Sequence, residues 1–163
     1  MQYQVDDRVV HINHGVGRVV GLVTNSFAKS EAKLYYEIAL DQSTVWVLVQ
    51  SGGPQELRAL THKRDLERYR AVLRSRPTEL STDHRQRRLD VLQQLKDGSF
   101  ASLCAVVRDL TARGRIKPLN EIDSMTLRQA HGNLSREWAA ADGITITEAV
   151  RHIESLMLEG QLA

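Results

Sequence analysis

The chain has a single cysteine, Cys104, among its 163 residues. That excludes an internal disulfide and any zinc site built from several cysteines. Three prolines and 5% aromatics leave no Pro-rich tract and few stacking platforms. No apolar run approaches the ~20 residues that span a bilayer. The N-terminal stretch MQYQVDDRVV lacks the basic and apolar segments of a signal peptide. A cytoplasmic protein without a membrane segment is expected. What is present is a globular composition, 42% hydrophobic and 26% charged, rather than a disordered one.

The net charge is only +2, but it is unevenly spread. Residues 1–60 hold five Lys/Arg against six Asp/Glu, and residues 89–163 hold eight against ten. Between them, Thr61 to Arg88 holds nine against four. A local basic stretch suits a polyanion, although a solvated helix face reads the same way from charge alone.

The first 60 residues have a strand period. Asp7–His11, Gly15 to about Thr24, Leu34–Leu40, Thr44–Val49 and Leu57–Leu60 are short β-prone segments. Asn13-His14-Gly15, 25–31, Asp41-Gln42-Ser43 and 51–54 separate them as turns or loops. Short strands at regular spacing predict a small antiparallel barrel. After Leu60 the period becomes helical. Helices are expected over about Lys63–Ser75, from Ser81-Thr82-Asp83 to Gly98, Ser99–Arg113, Asn120–Ala141, and from Thr145 to Gly160. Leu89, Leu92 and Leu95 read as the apolar face of the second. Leu127, Ala130, Leu134 and Trp138 form the stripe of the fourth, which assigns Trp138 to a core. Thr145 and Glu148 form a capping box. The fold class is α+β in two domains, a barrel at 1–60 and an all-α bundle of about five helices at 61–163.

No catalytic constellation emerges. His11 and His14 lie three apart in a strand–turn, a spacing that does not aim both rings at one ion. Cys104, between Leu103 and Val107, reads as a small core residue. Gly15-Val16-Gly17 is too short for a phosphate loop. No enzyme activity, metal or cofactor is expected.

Taken in order along the chain, the motifs resemble the CarD/CdnL family of bacterial transcription regulators. The signature V-x-D-x-V-V-x-x-x-H-G-V-G stands here as Val5 to Gly17. Tyr35-Tyr36-Glu37-Ile38 and Val45-Trp46-Val47-Leu48-Val49 fall at the family's barrel strands. Leu95-Lys96-Asp97-Gly98, Val106 to Leu110, and Gly143 to Ala149 match its helical half. The resemblance implies a Tudor-like barrel that binds the RNA polymerase β subunit, with Trp46, Leu48 and Asn25 as the polymerase-contacting positions. It implies a helical domain that meets promoter DNA at the upstream edge of the bubble and inserts a tryptophan wedge into the minor groove. A monomer is the family expectation.

Two positions depart from the family pattern. Counting back from Gly98, the wedge tryptophan falls at His84, with Arg85, Arg87 and Arg88 beside it as phosphate contacts. Trp46 and Asn25 stand where the family often carries basic residues. Trp46 alternates with Val45, Val47 and Val49, so it is an interface residue, a cover for the second face of the sheet, or a residue packed on the helical domain. The alternative function is a protein-interaction module that binds the polymerase or another partner without touching DNA. Salt dependence separates the two, because phosphate contacts weaken steeply with salt.

Overall fold

A computed structural model describes residues 2–25, 31–50 and 55–162. It divides into two compact units, Met1–Leu60 and Thr61–Ala163. Residues 26–30 of the loop expected at 25–31, and all of the loop expected at 51–54, lie outside the described residues.

The first unit is a five-stranded antiparallel sheet. Its strands are β1 (Arg8–His11), β2 (Gly15–Asn25), β3 (Lys33–Ala39), β4 (Thr44–Leu48) and β5 (Leu57–Ala59). They lie in the order β4-β3-β2-β1-β5. Among the described residues no ladder joins β4 to β5, so the sheet stays open where a closed barrel was expected. The period-two pattern explains which face is buried. Val9, Val19, Tyr36, Ile38, Val47 and Leu57 turn inward and form one core with Tyr3. The segment before β1 is fastened there, because the Tyr36 hydroxyl accepts the backbone N–H groups of Gln2 and Tyr3 at 3.1 and 3.2 Å. A bulge between Val19 and Gly21 shifts the β2–β3 register and adds one residue, Val20, to the outer side.

The second unit is helical. Its helices are α1 (Leu66–Arg74), α2 (His84–Leu95), α3 (Phe100–Ile116), α4 (Glu121–Asp142) and α5 (Ile146–Leu162). Side-chain caps set most of the starts. Asp83 accepts from the Arg85 N–H, Ser99 from Ser102, Asn120 from Asp123, and Thr145 from Glu148. Each satisfies a backbone donor that the first turn leaves open. The main core joins Leu66 and Leu73 of α1, Phe100, Cys104 and Val107 of α3, Leu134 and Trp138 of α4, and Ile153 and Met157 of α5. Trp138 is fully buried, and Cys104 sits in the same core.

Two helix ends differ from the sequence reading. α3 runs through Gly114 to Ile116, because glycine weakens a helix without forbidding it. α5 likewise continues through Gly160. Gly160 is needed by packing rather than as a stop: a Cβ there would stand 2.6 Å from the Arg74 carbonyl oxygen. α4 does end at Gly143, which takes the left-handed conformation at φ 72°.

Candidate functional site

The outer face of the sheet at β4 is the first candidate surface. Trp46 is 54% exposed while its neighbour Val47 is buried. The alternation therefore turns Trp46 and Leu48 away from the core, and the cover reading of Trp46 fails in this unit. In the ladders, Trp46 stands opposite Glu37, which stands opposite Gly21. Leu48 stands opposite Tyr35, which stands opposite Val23. Tyr35 and Val23 thus share the outer face with Leu48, and exposed Val20 joins them. These flanking residues were missed from the sequence, although their odd-numbered register in β3 carries the signal. Asn25 is exposed at the far end of β2, opposite Lys33. Among the described residues β4 pairs only with β3 and forms one edge of the sheet. An edge strand offers backbone groups as well as side chains to a partner.

The second candidate surface is the start of α2. His84 and Arg85 are exposed in its first turn, and Arg88 is half-buried one turn on. The first turn contains no acidic residue. Positive side chains at the positive end of a helix are intrinsically unfavourable, by about 0.3–1 kcal/mol each. The Asp83 carboxylate caps this end by accepting the Arg85 N–H at 2.9 Å, so the attraction for phosphate rests on the side chains.

Arg87 does not share that surface. It is only 5% exposed. Its Nε donates to Asp123 Oδ2 at 2.7 Å, and its Nη1 donates to the Ser81 and Thr82 carbonyls at 2.8 and 3.4 Å. The guanidinium ties the segment before α2 to the first turn of α4. A buried arginine with its donors engaged in this way is structural, so the basic set facing solvent is His84, Arg85 and Arg88.

The same contact rotates α2 away from the orientation read in the sequence. Arg87, Val91 and Leu95 follow at intervals of four and form the inward stripe. Val91 joins Val106 and Leu110 of α3 in a second core, with Leu80, Leu95 and Leu127 against it. Leu89 and Leu92, expected inside, are 62% and 44% exposed. They lie with Arg85 and Lys96 on the outer side of the helix.

The titratable groups elsewhere in the chain do different work. The buried His11 ring accepts the Asn13 and His14 N–H groups on Nδ1, at 3.1 and 3.3 Å. Its pKa is lowered, first by burial and then by the nearby His14. The two rings are tilted at 42° with centroids 4.6 Å apart, and among the described residues no third His, Cys, Asp or Glu joins them in a group that could hold a metal ion. The Arg108 guanidinium donates to Asp109, Ser75 and the Val72 carbonyl, and Asp109 accepts the Thr78 N–H. That network fastens the link after α1 onto α3. Buried Glu137 accepts from both the N–H and the hydroxyl of Thr61.

Both halves of the chain match family models, in the order that the two units follow. Residues 3–51 match the CarD-like/TRCF RID domain. Residues 68–154 match the CarD C-terminal domain. The second match alone covers more than half of the chain, and together they take in β1 to β4 of the sheet and most of the bundle, including the basic start of α2. The chain belongs to the CarD/CdnL family.

Proposed function

We propose that this protein is a transcription regulator that binds the RNA polymerase β subunit through its sheet unit and contacts promoter DNA through its helical unit, modulating open-complex formation. The observation that carries the reading is the pair of family matches in this order on one chain. In this reading the sheet works as a Tudor-like polymerase-interacting module. Trp46 and Leu48 supply an apolar contact on the edge strand, with Asn25 at its margin. An exposed tryptophan beside an open edge suits the centre of an interface, where aromatic anchors carry most of the binding energy.

The DNA contact is assigned to His84, Arg85 and Arg88. Arg85 and Arg88 meet phosphates through their guanidinium groups. His84 stands where the family resemblance places a tryptophan wedge. Imidazole is smaller than indole, so it enters a minor groove as a weaker wedge, and its ring N–H can donate to a phosphate oxygen. The protein therefore contributes more to holding upstream DNA than to forcing it open.

An Arg85→Ser/Arg88→Ser variant tests the DNA half without touching buried Arg87. Each lost phosphate contact flattens the log–log salt dependence of DNA affinity by about 0.9. The variant's slope on a polymerase–promoter complex should fall by about 1.8, while binding to the isolated β fragment is unchanged. An unchanged slope favours the second reading, a protein-interaction module without DNA contact. The substitution of the wedge by His84 is the observation behind that reading.

A further inference from the structure

On the side of the sheet away from β4, Arg8 of β1 stands directly opposite Arg18 of β2. Both are exposed. Residues opposed across an antiparallel pair have Cβ atoms only about 4.5–5.5 Å apart, and like charges so placed are destabilising. Among the described residues neither guanidinium has a hydrogen-bond or ion-pair partner. The nearby Asp7 carboxylate is engaged by the Gln4 N–H at 2.8 Å. A third arginine, Arg58 of β5, stands opposite Val10 of β1. Val10 is two residues from Arg8, so Arg58 shares the outer face. Three of the five basic residues in 1–60 thus gather on three adjacent strands, in a segment whose overall balance is acidic.

We propose that Arg8 and Arg18, flanked by Arg58, form a second nucleic-acid contact that grips a backbone phosphate from the sheet unit. The chemistry favours phosphate. Two guanidinium groups side by side offer parallel N–H donors, and a phosphate diester presents several acceptor oxygens to both while its charge removes their repulsion. Arg8 and Arg18 are themselves exposed, although Val10 between Arg8 and Arg58 is buried, so a duplex backbone can reach this pair from solvent. This contact is separate from the one assigned to α2, and it holds or fails independently of it.

The test is fluorescence anisotropy of a labelled duplex DNA against the full chain, over a salt series. The proteins are wild type, Arg8→Ser/Arg18→Ser, Arg85→Ser/Arg88→Ser, and the fourfold variant. Removing Arg8 and Arg18 should weaken binding at low salt and flatten the salt slope by up to about 1.8. The same loss should recur when the change is made in the Arg85→Ser/Arg88→Ser background. Thermal melting serves as the control. Relief of like-charge repulsion predicts that Arg8→Ser/Arg18→Ser melts no lower than wild type, and that Arg18→Glu, which gives Arg8 an opposite partner, also keeps its melting temperature while losing DNA affinity. An unchanged slope and affinity in Arg8→Ser/Arg18→Ser overturns the proposal, as does a wild-type chain that fails to bind duplex. So does weakened binding to poly-glutamate with DNA binding intact, which would assign the patch to an acidic protein surface.

Discussion

Two arginines two residues apart in one sequence run have opposite roles. Arg85 points to solvent, whereas Arg87 is buried against Asp123. Removing one partner of a buried ion pair leaves the other charged and unsolvated, at a cost of about 3–5 kcal/mol. Arg87→Ala should therefore lower stability by roughly that amount in urea unfolding, while Arg85→Ala stays within about 0.5 kcal/mol. Equal losses would contradict the assignment. His11 gives a second prediction at this scale. Its Nδ1 accepts two backbone N–H groups, which requires the neutral ring. Burial lowers its pKa below the unfolded value of about 6.5. The native state then refuses a proton that the unfolded chain takes up. Stability is complete above about pH 6.5 and declines as pH falls from there toward the native pKa. Melting temperatures between pH 7.5 and 5.5 should fall more for wild type than for His11→Asn, whose side-chain oxygen can still accept. Parallel curves would remove His11 as the cause.

At the scale of elements, α2 is where the sequence and the fold part company. Leu89, Leu92 and Leu95 have helical spacing, and so do Arg87, Val91 and Leu95. The chain chooses the second set because Asp123, 36 residues away, gives Arg87 a buried partner. That partner is invisible to a local pattern. Val91→Ala should thus cost roughly 1–3 kcal/mol, and Leu89→Ser or Leu92→Ser very little. A larger loss at Leu89 than at Val91 would restore the original face. The other helix stripes were legible because their apolar residues have no competitor: Leu66 with Leu73, Phe100 with Val107, and Leu134 with Trp138 are inside as their spacing requires. Strand alternation was equally readable, and it placed Trp46 opposite in sense to Val47. It left open what lies over that side, because an outward position is exposed or covered according to neighbours the pattern does not name. The helices run past Gly114 and Gly160, against the local pattern, for a related reason. A glycine late in a helix looks like a stop, but at Gly160 the approach of the Arg74 carbonyl selects it instead.

At the scale of the molecule, the division into a sheet unit and a helical unit follows the change of hydrophobic period near residue 60. Among the described residues the sheet is open rather than closed, so β4 is left as an edge strand that carries an exposed tryptophan. In the helical unit, the basic excess of 61–88 is divided between solvent and structure. Arg70 lies over the Trp138 ring at 5.6 Å, Arg74 pairs with Glu67, and Arg87 is inside. The charge left to serve the proposed DNA contact is therefore smaller than the sequence count implies, and the polymerase contact bears more of the proposed function. The most direct measurement is a pull-down of RNA polymerase, and of its β-subunit lobe alone, with wild type and Trp46→Ala. Trp46 is exposed, so the variant should fold normally. The account predicts that wild type captures both and that Trp46→Ala captures markedly less of each. Capture of neither by the folded wild type would contradict the central claim, and undiminished capture by Trp46→Ala would move the interface away from β4.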